Sequence, residues 1–451
     1  MIKISISVQL LMIICSLLLR SGNCTQIDQL IQSFDLLSTI AGKGGNGDGD
    51  ENMWLDEFEG GKAVDAVLSG PHMAMADSMG NVYIADKNAH AIRKVDTAGI
   101  ITTVAGVNKS GNGQNGIATT QALSGPNGLW VSKSGVLYIL DLWNNKIRKV
   151  DTSGFMTTII HDKDGMSAGR GLWVSTKEDT IWYASGSVIK MWTEKNGLTL
   201  FASGFSGGLG NIMQDHQGNI IATDRSANLV YRINITGEKT IIAGTGNSKG
   251  GGNGSPALET AFYGVRGIWV LPDNTYFLGT HEGSQVWYVD EEGIAHIFIN
   301  GKEGDQYHTG DGMNFRTSGY KLSEVRAITA DYQGNLLITE NDRGFIRRLN
   351  KATISVIKNK SPQTFNNMTL YQDRSSGITR FKFTLLGSVK PLISIQNLLG
   401  QPLTIPVNHR VISSDLHIVE LNNNNLASGS YLITIRAENH PLISKPVMVS
   451  R

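Results

Sequence analysis

Six residues occupy one repeated place in this sequence, immediately before a short apolar run: His72, Asn127, Arg170, Gly210, Arg266 and Arg326. Three are arginines, whose planar guanidinium forks hold a carboxylate or other anion through paired N–H donors. The histidine and the amide add neutral hydrogen bonding and a metal-ligating imidazole. The competing reading is internal pairing of each arginine with a neighbouring acid, Glu340 or Asp342 for example.

Other chemistry-bearing residues are more dispersed. Asp86, Asp141, Asp224 and Glu340 follow the second apolar run of their repeats. With Asn88, Asn144 and Asn228 close behind, they suit corners that Asp and Asn stabilise through their own backbone. The basic pairs Arg93-Lys94, Arg148-Lys149 and Arg347-Arg348 are expected on outer strands, solvated or paired with Asp96 and Asp151. Asp48, Asp50 and Glu51 offer calcium-type oxygens without the spacing of an EF-hand loop. His72, His161, His281 and His308 could supply a zinc site only from separate repeats, because no H-E-x-x-H or cysteine pattern exists. Trp54 and Trp143 are candidates for stacking on a sugar. Trp130, Trp173 and Trp269 share one repeat position and are expected to fill space between repeats. The G-x-S-x-G run Gly204–Gly208 joins two repeats instead of turning a strand into a helix. The Gly-rich runs Gly42–Gly47 and Gly111–Gly116 open no helix, so neither a hydrolase elbow nor a dinucleotide fingerprint has its context.

The elements that must position these residues repeat from about residue 36 to 358. The run Ala66–Gly106 returns as Ala122–Ile160, and each copy reads as four short strands divided by turn signals. Later copies are Gly169–Gly204, Leu209–Gly244, Val265–Gly301 and Val325–Lys358, at spacings of about 40 to about 60 residues. Gly-rich insertions (42–61, 106–116, 244–254 and 301–312) account for the variation. Self-similarity at this period predicts propeller blades. Leu36–Gly42 repeats the closing strand Ile100–Gly106 without the three strands that should precede it. That predicts a ring whose first and last blades share strands, leaving no exposed sheet edge at the joint. The turn between second and third strands, the link to the next blade and the insertions should then lie on one face, around the channel mouth.

The pattern D-x-x-G-N-x-Y-I-A-D, then N-x-x-I-R-K-V-D and a T-T-V-A-G closing strand, resembles NHL repeats. The first two copies match well; the third and fifth lack the corner Asp and the I-R-K. The resemblance implies an all-β fold with a six-bladed NHL-type propeller over residues 25–358. It implies little chemistry, since such propellers serve lyases, lactonase-like enzymes and binding modules. A join at 359–374 leads to alternating strands over 375–451, expected to form a small β-sandwich. Here Leu398, Leu399 and Gly400, then Leu426, Ser428, Gly429, Tyr431 and Leu432, resemble the C-terminal sorting domain of the Bacteroidetes type IX secretion pathway. Gln372-Asp373 stands where that family usually has Asn-Pro. The resemblance implies outer-membrane export machinery as a partner of 375–451.

At the other end, Lys3, the apolar run 4–19 and the small residues up to Cys24 resemble a secretory signal over 1–24. Its removal would take Cys15 and leave at most Cys24 of the two cysteines, hence no internal disulfide. Lys plus Arg number 40 against 39 Asp plus Glu, so no net field favours nucleic acid or a membrane surface; membrane association would come only through surface anchoring. The 52 glycines fit a chain of many tight turns. These features together predict a secreted or cell-surface propeller that binds a glycan, peptide or small anionic ligand. The alternative is a metal-assisted lyase or hydrolase with its site at the channel mouth.

Overall fold

The computed structural model describes residues 27, 30–31, 33–45, 51–167, 169–301, 311, 313–315 and 322–351. Beyond these it describes the backbone of strands 369–373, 378–384, 392–397, 402–403, 407–411, 416–422, 429–436 and 443–449. The chain divides into two compact units, 1–352 and 353–451.

The first unit is a ring of six antiparallel sheets, the blades of a propeller. Their innermost strands are Pro71–Ala76, Pro126–Val131, Leu172–Val174, Leu209–Gln214, Val265–Val270 and Val325–Ala330, which number blades 1 to 6. Each blade begins with a hairpin pinned by one polar side chain. In blade 1, Asp77 Oδ1 accepts from the amides of Met79 and Asn81, both at 2.9 Å. Asp215 and Asp331 do the same in blades 4 and 6, and the Ser132 hydroxyl serves blade 2. Second strands such as Val82–Asp86 and Leu137–Asp141 are buried along their whole length, because neighbouring blades cover both faces.

The predicted closure is present. Phe34–Ala41 pairs antiparallel with Phe345–Lys351, with Leu37 opposite Leu349 and Thr39 opposite Arg347, and so becomes the fourth strand of blade 6. The Gly-rich insertions do more than decorate the loop face. Gly116–Ile117 pairs with the outer strand Phe155–His161, Ser255–Pro256 with Ile294–Asn300, and Met313–Asn314 with Phe34–Ala41. In blade 1 the residue after the insertion, Lys62, bridges Ile100. Each insertion thus ends by covering the outer edge of the blade it precedes. Blades 3 and 4, with short links before them, have no such fifth strand among the described residues.

The corners overturn one expectation. Arg93, Arg148 and Arg347 are fully buried, not solvated. They face the corner acids seven residues earlier: Arg93 Nε lies 3.2 Å from Asp86 and Arg347 Nη1 3.2 Å from Glu340, while Arg148 Nε stands 4.0 Å from Asp141. Asp96 and Asp151 instead accept the amides of their own following turns. The corner acids also take the backbone N–H of the serine preceding the inner strand, Ser69, Ser124 and Ser323. In blade 4, Asp224 accepts from both the amide and the hydroxyl of Ser206, so the G-x-S-x-G serine is a linker anchor.

In the second unit the described strands form two four-stranded antiparallel sheets. Their orders are 369–373, 378–384, 416–422, 407–411 and 402–403, 392–397, 429–436, 443–449. Gly429, Tyr431 and Leu432 open the strand Gly429–Arg436, where Tyr431 pairs with Asn397 and Leu432 with Pro446. Leu398, Leu399, Gly400, Leu426 and Ser428 lie outside the described residues, as do the signal-like segment 1–24, Cys24, Asp48 and Asp50. No helix among the described residues is long and apolar enough to cross a membrane.

Candidate functional site: the channel mouth

The inner strands begin irregularly. Register shifts fall between Pro71 and Met73, Pro126 and Gly128, Val265 and Gly267, and Val325 and Ala327. The residue extruded at each shift is His72, Asn127, Arg266 or Arg326. A bulge of this kind re-aims one side chain while the strands on either side stay paired. In blade 4 the shift spans Gly210 and Asn211, and in blade 3 Arg170 precedes the strand Leu172–Val174. The predicted ring of starters is therefore a structural set. Gly210 brings no side chain to it; Asn211 stands beside it instead.

Arg326 is tied down. Its Nε and Nη2 lie 2.7 and 2.6 Å from Glu324 Oε2, with Asp342 at 3.9 Å. The expected partner Glu340 is occupied by Arg347 and Ser323. His72 Nδ1 lies 2.9 Å from the Gly70 carbonyl, which can only accept, so Nε2 is left to accept from Arg326 Nη1 at 3.4 Å. Burial first, and then Arg170, Arg326 and Lys87, hold the His72 pKa well below the usual range, so the ring is neutral. Arg225 pairs with Glu282 at 3.5 Å, and Glu282 also lies 3.3 Å from His281 Nδ1. His281 meets Glu324 through its other nitrogen.

Two arginines are not settled in this way. Arg266 is 2% exposed; its Nη1 comes no nearer to a carboxylate than 3.9 Å, to Glu324, and its Nε has no hydrogen-bond partner. Burial and the guanidiniums of Arg170, Arg326 and Arg225 lower its pKa, which marks a cation held without its counter-charge. Arg170 makes no ion pair among the described residues and its Nε is also unpartnered; burial, then Arg326 and Arg225, push it down to about 9. Two amides share the condition. Asn127 donates to the Gly169 carbonyl at 2.6 Å, leaving Oδ1 buried without a partner. Asn211 is 2% exposed with neither amide atom bonded.

Three residues along from Asn127, Arg170 and Arg266 stand Trp130, Trp173 and Trp269, about 10 Å deeper at a strand's rise. Trp173 meets both others edge-on, each at 6.4 Å between ring centres. Blades 3 and 5 are not neighbours, so these rings meet across the axis instead of filling space between blades as expected. They meet near the axis, below the mouth residues.

Of the sugar-stacking candidates, Trp54 is buried against Phe58 with the Arg93 guanidinium 3.5 Å from its ring centre, and is structural. Trp143 is 53% exposed beside Lys87 and His90 and keeps an open aromatic surface. His161 is exposed at the end of an outer strand, and His308 lies outside the described residues. His281, Glu324 and Asp342 bring ligand atoms within 4.8 Å of one another. Arg326 and Arg266, however, already turn positive charge onto Glu324. Sequence reasoning missed Arg225, Asn211, Glu282 and Glu324. The signal was there for two of them: the first and second places after each corner residue, Arg225 after Asp224 and His281-Glu282 after Thr280, form a second ring around the mouth.

Fold and site define a six-bladed β-propeller whose channel mouth carries charged and amide side chains above three tryptophans. No family model matches the chain. Two curated relatives are teneurin-1 of Gallus gallus, 31% identical over 121 residues, and teneurin-1 of Mus musculus, 22% identical over 331. These alignments cover 26% and 69% of this chain but only 4% and 11% of the relatives' length. Among solved structures, a protein of unknown function from Bacteroides thetaiotaomicron is similar at TM-score 0.56 and 15% identity, over 70% of this chain and 75% of that one. An auxiliary nutrient binding protein from the same species is similar at TM-score 0.54 and 13% identity, over 70% and 76%. At such identities the likeness establishes the fold.

Proposed function

We propose that this chain is an exported binding propeller of the NHL type, which seats an anionic ligand at the mouth of its central channel. The observation that carries the reading is the pair of guanidiniums, partly buried Arg170 and buried Arg266, that no carboxylate among the described residues approaches within 3.5 Å. A buried cation without a close partner is costly, and an incoming anion removes that cost. Trp130, Trp173 and Trp269 meet near the axis below these residues. The similar Bacteroides structure described as an auxiliary nutrient binding protein is in keeping with a binding role. The signal-like start and the sorting-type motifs from Leu398 to Leu432 support delivery to the cell surface or medium through type IX machinery, with 375–451 as the address.

Titration calorimetry of the full chain against matched charged and neutral glycans, peptides and small carboxylates tests the reading. Charged members should bind, their neutral counterparts should not, and affinity should fall with salt. Binding of a neutral glycan that is indifferent to Arg170→Ala would overturn it. The His281–Glu324–Asp342 cluster favours a second reading, a metal-assisted lyase or hydrolase. A near-stoichiometric metal in the purified protein, lost in His281→Ala, would promote it.

A further inference from the structure

The unpartnered polar atoms of the mouth are not spread evenly around the ring. They belong to four consecutive blades: Asn127 Oδ1 in blade 2, Arg170 Nε in blade 3, both amide atoms of Asn211 in blade 4, and in blade 5 Arg266 Nε and Nη1, with the ring nitrogens of His281 and Glu282 Oε2 making ion contacts but no hydrogen bond. In blades 6 and 1 the polar groups are spoken for, Arg326 by Glu324 and Asp342 and His72 by Gly70 and Arg326, and within the arc Arg225 pairs with Glu282. Backbone contacts knit the unsatisfied arc together. Asn127 donates to the Gly169 carbonyl next to Arg170, and the Thr223 hydroxyl bridges the carbonyls of Asn211 and Arg266. Buried polar groups are seldom left unpaired, and such a run in one arc points to a missing partner.

The atoms state what that partner must offer. Two guanidiniums ask for a negative charge with several acceptor lone pairs. Asn127 has spent its N–H₂ on Gly169, so its free Oδ1 needs a donor from the ligand. Asn211 needs a donor and an acceptor. Sulfate and fully ionised phosphate carry acceptors only and would leave both amide oxygens unsatisfied. A hydroxyl gives and receives through one atom. The carboxylates nearest the arc are engaged by Arg225 and Arg326, which disfavours a ligand ammonium group.

We propose that Arg170 and Arg266 together hold the carboxylate of a small polyhydroxylated acid, whose hydroxyls are read by Asn127 and Asn211. This rests on the anion-binding reading of the mouth and narrows it to one ligand class. The chemistry is shared by a free sugar acid and by a uronate at the end of a glycan.

Calorimetry on the full chain would use glucuronate, its uncharged methyl ester, glucose, acetate, sulfate and a glucuronate-terminated trisaccharide. Glucuronate should bind at least tenfold more tightly than the ester, glucose or acetate. Arg170→Ala and Arg266→Met should each weaken it at least tenfold. Asn211→Ala should weaken glucuronate several-fold and leave acetate unchanged. Trisaccharide binding on a par with glucuronate would identify a glycan end as the source, and exclusion of the trisaccharide a free acid. If acetate and sulfate match glucuronate and Asn211→Ala changes nothing, the hydroxy-acid claim is overturned while the anion-binding mouth stands. If no anion depends on Arg170 or Arg266, both fall. Melting curves check that each variant folds; should Arg170→Ala not fold, Arg170→Lys and the ester control still decide the claim.

Discussion

Arg93 and Arg266 are both buried, yet their surroundings differ in kind. Arg93 has Asp86 at 3.2 Å and the Trp54 ring beneath it, whereas Arg266 has a carboxylate only at 3.9 Å. One guanidinium is built into the fold and the other is held against it. The sequence pattern located both residues but not the distinction. Asp96, nearer to Arg93 in sequence, spends its carboxylate on the amides of Ala98 and Ile100, and the acid that matters lies across the neighbouring strand. His72 gives a prediction at this scale. Its folded pKa lies well below the unfolded value of about 6.5, lowered first by burial and then by Arg170, Arg326 and Lys87. The folded state therefore binds fewer protons, and the stability tied to neutral His72 is present above about pH 6.5 and lost as pH falls below it. Asp141 works in the opposite sense, since burial pushes it up to about 6 and its contribution fades as pH rises toward that value. A difference measurement separates them. Between pH 7 and 5 the melting temperature of His72→Gln should fall less than that of the unaltered chain; equal slopes would refute the assignment.

The blade itself shows how one element is rebuilt without changing its shape. Seven residues after the corner come Arg93, Arg148 and Arg347 in blades 1, 2 and 6, where the corner is acidic. In blade 5 the corner is Thr280 and the same position holds Trp287; in blade 3 the turn after Ser185 is two residues shorter and the position falls to Lys190, which pairs with Asp162 at 2.8 Å. Blade 4 combines Asp224 with Tyr231, the acid turning to Ser206 and Ala227. In the fifth copy, which lacks both the corner acid and the arginine, an ion pair is exchanged for a neutral corner with an aromatic ring. A buried ion pair is commonly replaceable as a unit, while removing one partner costs about 3–5 kcal/mol. Arg93→Trp alone should therefore destabilise by about that much. Asp86→Thr with Arg93→Trp, copying blade 5, should recover more than half of the loss in urea denaturation. Strict additivity of the two single effects would contradict the exchange.

At the scale of the molecule, the ring closure was legible because Leu36–Gly42 repeats a closing strand with no blade of its own. The alignment of copies also placed the ring residues, since five of the six inner strands begin with a bulge at that position. The tryptophan cluster was not legible. Which residues meet across an axis depends on how far the ring curves, and Trp173 and Trp269 are joined by no local pattern. The acids of the mouth were missed for a similar reason, as Glu324 and Glu282 reach it from links and corners instead of from the repeated strand. The central claim is that the propeller carries a buried cation for a ligand and not for its own stability. Thermal melting of the full chain and of Arg266→Met, each with and without glucuronate, tests it most directly. The account predicts that Arg266→Met, without ligand, melts at or above the unaltered chain and loses the ligand-dependent rise in melting temperature. A variant destabilised by about 3–5 kcal/mol would instead make Arg266 a structural partner of Glu324, and would contradict the account.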